Sequence, residues 1–502
     1  MDDVARYVAA QAAELSEHPL ITWLADTPVP AGERLAIMIA LAPFTRALAL
    51  SCTWHIPYGA PQGELQAAVN ARAAANAAQC SLLEHDWAAL RLDTILGWGA
   101  GDMLWWLLVA GETGRARQAA MQIPVLAAAD HGDPALRYSW VSALDACLDV
   151  LFSAARRAAG QDGPRCLYFG YARDPATLQA APEFDPAAQA AAIELAGAAA
   201  TAAATLFDSL YEYATSYIET GRTPARPAQA PEPERHASAW PLQPRLPQAA
   251  RVVNGEIDEM LYRRRGTTVS HRLYSWLGSA PCRPADKLSV LLPEWALGIL
   301  GTCDVCAHVL PLPRDPAAAD LNTWARELAA QGSEFMADWD ALRIDARLGW
   351  TASQTLRWLT TDPRMEEHRR GLARVARFAA ACGAPLTRMW LLEVLAAACP
   401  ARAPVTMDAA GQAGQDLGCQ LGYLTGRRHP APPARGRFRH LPLSLDDGWQ
   451  VTRMIMMLFS GMERQFDQSL VHAEQLAARL PRPVPSSNQP LRQAQAAASH
   501  QR

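Results

Sequence analysis

The residues of this chain best suited to chemistry are carboxylates and histidines that recur at fixed spacing. The segment Glu84–Trp106 reads EHDWAALRLDTILGWGAGDMLWW, and Met336–Trp358 reads MADWDALRIDARLGWTASQTLRW; 12 of the 23 aligned positions are identical. On a continuous helix Asp86, Leu90, Asp93 and Gly97 fall at i, i+4, i+7 and i+11, which is one face, and Asp338, Leu342, Asp345 and Gly349 repeat it. A carboxylate on an inward face needs a partner, because an unpaired buried charge costs several kcal/mol or takes up a proton. Two roles are open to these aspartates. Either they are paired with arginine, capping a neighbouring helix or exposed, or they belong to a carboxylate–histidine metal site. Histidines keep the same register: His18 and His55 are 37 residues apart, as are His271 and His308.

Collinear landmarks of this kind mark a duplicated domain. The period of about 250 residues is far longer than the units of solenoids, so each copy needs its own core. The expected organisation is a domain over 1–222, a Pro/Ala-rich linker over 223–250, a second domain over 251–482 and a disordered tail over 483–502. Ala and Leu dominate, and no long Val/Ile/Thr alternation occurs, which predicts an all-α fold. Helices are expected near 2–24, 31–53, 63–97, 101–109, 113–129, 134–160 and 186–219, with Gly97 and Gly349 ending the repeated helix. In the closing helix of the second domain, Met454, Met457, Leu458, Met462 and Phe466 form a core-facing stripe.

A net charge of −4 and the lack of a basic run exclude a nucleic-acid footprint. The start has no secretory signal, and the most apolar stretches, LAIMIALAPF and MLWWLLVA, read as too short to span a bilayer. Ten cysteines without scaffold spacing fit a reducing compartment. The expectation is a cytoplasmic protein with no membrane partner. The CxxC of Cys303 and Cys306 has no second pair for zinc and reads as two small buried residues.

The landmark order HPLITWL, then DW..L..D..LGW, LWW or LRW, and YFGY resembles the heme-oxygenase-like superfamily, and more narrowly its iron-containing redox branch, related to TenA and quinone-synthase proteins. The resemblance implies two tandem heme-oxygenase-like helical bundles packed as an intramolecular pseudo-dimer. It also implies a di-iron site from a motif H-x-x-E-D-x-x-H-W. At those positions this chain has Gln79, Leu82, Leu83 and Asp86, and then Gln331, Glu334, Phe335 and Asp338. A later histidine-rich segment is replaced by Arg173, Thr177 and Ala180, and LGYLTGRRHP in the second half has no clear equivalent. Leu, Phe, Thr and Ala supply no lone pairs, so the standard six-ligand site is eroded in both copies.

What the resemblance leaves is a reduced iron site in the second domain from Glu334, Asp338, Glu393 and His308, with His55, Asp86 and Asp145 as the first-domain counterparts. Non-heme iron is the cofactor implied. His18 and His271 stand where heme oxygenases place the heme ligand, but a capping histidine is the commoner case, and heme is not expected. Two functions follow. The first is an iron-dependent oxidoreductase that oxidises or N-oxygenates an amino-acid-derived molecule in secondary-metabolite biosynthesis. The alternative is a non-catalytic tandem module, a pseudoenzyme, that binds a hydrophobic small molecule or a partner oxygenase. A metal site requires His and carboxylate groups from several helices to converge; a binding module requires an apolar cavity with few polar groups.

Overall fold

The computed structural model describes residues 3–56, 60–111, 113–160, 166–170, 184, 186–220, 248–280, 282–312, 318–382, 384–399, 404–417, 438–441 and 443–478. The protein is all-α, with no strand among the described residues. The first half contains α1 (Asp3–Ser16), α2 (Pro19–Asp26), α3 (Ala31–Arg34), α4 (Met38–Trp54), α5 (Glu64–Cys80), α6 (Leu83–Ala89), α7 (Leu92–Leu96), α8 (Ala100–Leu108), α9 (Gly114–Ala129), α10 (Pro134–Ala159), α11 (Leu167–Gly170) and α12 (Pro186–Thr220). The second contains α13 (Gln248–Val269), α14 (Arg272–Ser279), α15 (Pro284–His308), α16 (Ala319–Ala341), α17 (Ile344–Leu348), α18 (Ala352–Thr360), α19 (Glu366–Ala381), α20 (Pro385–Ala397), α21 (Pro404–Leu417) and α22 (Leu445–Ala477). Helix α13 begins three residues inside the expected linker. The remainder of that linker, 223–247, and the expected tail, 483–502, lie outside the described residues.

Matched local structures recur between the halves. His18 Nδ1 accepts from the Leu20 amide at the start of α2, and His271 Nδ1 accepts from Leu273 at the start of α14, both at 3.1 Å. Each ring then reaches an aspartate of the closing helix, Asp208 or Asp467, at 3.2 Å. These caps split the expected helix 2–24 in two. Arg137 donates to the carbonyl of Ile56 at 2.8 Å and Arg388 to that of Leu310 at 2.9 Å, each tying down the last turn of a central helix.

The repeated segment is not one helix, which corrects the single-face reading. Arg91 and Arg343 adopt left-handed backbone (φ 56° and 53°), a conformation that L residues other than glycine rarely take. The chain turns there, so Asp86 and Asp93 leave on different sides. Gly97 and Gly349 end α7 and α17 at φ 63° and 59°, as expected of glycine at that position.

That turn carries the second aspartate across to the other half. Asp93 Oδ1 accepts from the Ser353 amide at 2.9 Å and from its own half's Trp87 indole at 3.0 Å. Reciprocally, Asp345 Oδ1 accepts from the Gly101 amide at 2.7 Å and from Trp339 at 2.9 Å. Ser353 and Gly101 lie in the first turns of α18 and α8, where amides lack intrahelical partners and the helix dipole favours an anion. An isolated antiparallel bridge between Gly99 and Thr351 lies between these two contacts. Helix α19 also packs on α9 and α4, so the halves share a continuous apolar core.

Among the described residues, three helices are long and apolar enough to cross a membrane: Ala31–Trp54, Ala188–Ser216 and Pro284–His308. This overturns the expectation that every apolar stretch is too short, and with it the cytoplasmic placement. The apolar stretch LAIMIALAPF is only part of the first span, and α4 and α15 continue through Pro43 and Pro293. In this fold the first and third of these spans are 83% buried inside the protein and the second 44%.

Candidate functional site

The expected ligands are distributed among structural roles. Asp86, fully buried, accepts from the amides of Tyr168 and Phe169 at 3.0 and 3.2 Å, capping α11. Burial pushes its carboxyl above the usual range, and those two amides oppose the shift. Asp145 receives the Arg72 guanidinium and, at 3.0 Å, the Asn76 amide. Glu393 receives Arg439 at 2.8 Å, and Arg439 also meets Asp258 at 3.0 Å. An arginine therefore stands against each of these two carboxylates, where a metal would need the lone pairs.

Glu334 and Asp338 lie on α16, one half-buried and the other buried. His308, at the end of α15, lies 3.5 Å from Asp304, which in turn is 3.4 Å from Arg117 of the first half. Burial lowers the His308 pKa; Asp304 opposes this, while Arg117 adds to it. Among the described residues no group of three or more His, Cys, Asp or Glu side chains could hold a metal ion. The described residues do not fit the reduced iron site. Arg173, Thr177, Ala180 and the 421–430 segment lie outside the described residues.

The expected equivalence of His55 and His308 slips by one residue. His55 is the first residue after α4, whereas His308 is the last residue of α15 and Val309 takes the capping place. His55 packs against α19. Its pKa falls to about 4, first through burial and then through Arg377 and Arg374, with the Ala373 backbone opposing.

A different group of residues does converge. In the second half a cavity of about 40 Å³ opens between α15, α16, α19, α20 and α22. Its wall is largely apolar and includes Leu372 and Met462, but Trp295, His368 and Gln465 also face it. Glycine at 298 is needed for this arrangement, because a Cβ there would stand 2.4 Å from His368 Nε2. The pKa of His368 drops to about 4, chiefly by burial, although the Gln465 side chain pulls the other way. The imidazole is therefore neutral near pH 7. Gln465 donates its amide N–H to the Glu294 carbonyl, and the Glu294 carboxylate takes His472 Nδ1 at 2.9 Å.

The matching described positions of the first half carry no such group. The matched arginine contacts to Ile56 and Leu310 align Trp295 with Leu41 and Gly298 with Phe44. Arg117 and Arg369 both donate to backbone carbonyls just ahead of their own helices, which aligns His368 with Ala116. The matched ring pairs His18–Phe207 and His271–Phe466 align Gln465 with Leu206. Leu41, Phe44, Ala116 and Leu206 are all buried and apolar. Of the motif positions, Gln331 lines the cavity; Trp295, Gly298, His368 and Gln465 stand where the first half carries hydrocarbon side chains. No family model matches the chain, and no curated protein matches it.

Proposed function

We propose that the chain is a tandem helical binding module whose second half holds a small, mainly apolar molecule in its core, while the first half serves as a filled scaffold. The observation that carries this reading is the substitution of Leu41, Phe44, Ala116 and Leu206 by Trp295, Gly298, His368 and Gln465 around the cavity. A mostly apolar recess with a few convergent polar groups, one of them strongly perturbed, is the usual form of a small-molecule site. Burying polar side chains where hydrocarbon suffices in the other copy costs stability. A ligand that uses them accounts for that cost.

The collinear repeats and the exchanged Asp93 and Asp345 contacts support descent from a duplicated all-α domain of the heme-oxygenase-like kind. On that reading the halves sit as the subunits of an ancestral two-fold dimer would. The test uses ligand-detected NMR with 1-butanol as probe. The protein should bind it, and the double variant Gly298→Phe/His368→Ala, which copies Phe44 and Ala116, should not. Equal binding by both, or binding by neither, would reject the reading.

A further inference from the structure

Helix α22 buries one side and turns the other to solvent. Leu445, Trp449 and Met456 fall at i, i+4 and i+11 on the outer side and are 72%, 69% and 41% exposed. Arg453, also exposed, lies on that side one turn beyond Trp449. A tryptophan and a leucine left in water forgo the gain that burial would bring. Gathered on one face, they mark a contact surface.

The flanking helices supply the charge. Arg374 of α19 lies against Met457 Sδ at 3.4 Å, and Arg264 of α13 against Met456 Sδ at 3.3 Å. Partial burial lowers the Arg374 pKa, its neighbours Arg370 and Arg453 lower it further, and Glu367 opposes them. Glu463 answers Arg264 at 3.5 Å, and Glu367 answers Arg464 at 3.0 Å. Arg374 and Arg453 stand in no ion pair among the described residues. Cations are thus brought together here on a chain whose net charge is −4. Further along the same face Glu463, Asp467 and Glu474 reverse the sign, which confines the basic and apolar stretch to the first turns. Asp446 and Asp447 sit at the helix start, where the dipole favours carboxylates.

An anionic bilayer surface matches both properties. Its headgroup boundary takes up aromatic and aliphatic side chains, and its phosphates take guanidinium groups. Side chains about 70% exposed stand proud of the surface and form no groove for a peptide.

We infer that the first three turns of α22, flanked by Arg264, Arg370 and Arg374, lie against an anionic lipid surface, with Leu445 and Trp449 entering the headgroup boundary and Arg374 and Arg453 meeting lipid phosphates. Attachment of this kind requires no span, and those of α4 and α15 stay buried in the core.

The experiment is co-sedimentation of the full chain with vesicles of phosphatidylcholine, alone or with about 30% phosphatidylglycerol, at low salt where screening is weak. Binding should be at least tenfold stronger to the anionic vesicles. Arg374→Glu/Arg453→Glu should lose at least tenfold of it. Leu445→Ser/Trp449→Ser should lose a similar factor, which an attraction of charge alone would not. Both variants should keep the wild-type urea midpoint, because the altered side chains are exposed. Equal binding to the two vesicles, or undiminished binding by either double variant, would overturn the inference. Binding to neither vesicle would also overturn it and leave the face to an acidic protein.

Discussion

Replacing Asp345 by alanine tests the reciprocal contact between the halves. The change deletes the acceptor for the Gly101 amide and for the Trp339 indole. Trp339 is 1% exposed, so its N–H would lose its partner without gaining water. Losing a helix cap costs about 1 kcal/mol, and a buried hydrogen bond to a charged group about 1.5–3 kcal/mol. The expected loss is therefore roughly 2–4 kcal/mol. Asp345→Asn keeps an acceptor oxygen and loses mainly the charge–dipole attraction, about 0.3–1 kcal/mol. Urea unfolding followed by far-ultraviolet circular dichroism measures both, and amide hydrogen exchange at Gly101 localises the effect. Asp93→Ala should match Asp345→Ala in size, because it removes the acceptor for Trp87 and Ser353. A loss below about 0.5 kcal/mol in both alanine variants, with exchange at Gly101 and Ser353 unchanged, would refute the view that these aspartates join the halves.

Acid should destabilise the protein early. The pKa values of His55 and His368 fall to about 4, so between their ordinary 6.5 and about 4 the unfolded chain binds more protons than the folded one. The stabilisation is complete above pH 6.5 and is lost as pH falls through that window. It amounts to on the order of 3 kcal/mol for the buried His55 and less for the half-buried His368, and a urea midpoint against pH should flatten in His55→Gln. Gln465→Leu removes the side-chain hydrogen bond to His368 and the bond to the Glu294 carbonyl, and should lower stability by about 1–3 kcal/mol; an unchanged urea midpoint would argue that neither bond contributes. Reconstitution with Fe(II) should give the same iron content in the wild type and in Glu334→Ala/Asp338→Ala, because these carboxylates belong to no described metal-binding group. A stoichiometric iron signal abolished in the variant would restore the metal site.

Helix positions were readable because apolar periodicity and capping residues act locally; Gly97, Gly349 and the Met454–Phe466 stripe fall where the sequence places them. The breaks were not. A left-handed arginine leaves no signature, since Arg is an ordinary helix former and the turn at Arg91 is accompanied by the contact of Asp93 with Ser353, distant in sequence. The fate of each aspartate was equally hidden: Asp86 finds Tyr168, and Asp93 finds Ser353, and only the folded chain sets those separations. The aspartates that match between the halves are architectural. The cavity residues are those where the copies disagree.

Because each half completes the first turn of a helix in the other, neither has its full hydrogen bonding alone. The peptide joining them then acts mainly on concentration. It keeps two mutually dependent surfaces at an effective concentration far above that of separate chains. Once folded, the assembly should survive a proteolytic cut between α12 and α13. Refolding after such a cut would become second order and depend on dilution. Two halves in a single chain are also free of the symmetry that a homodimer must keep, so one core can hold a cavity where the matching positions of the other carry hydrocarbon.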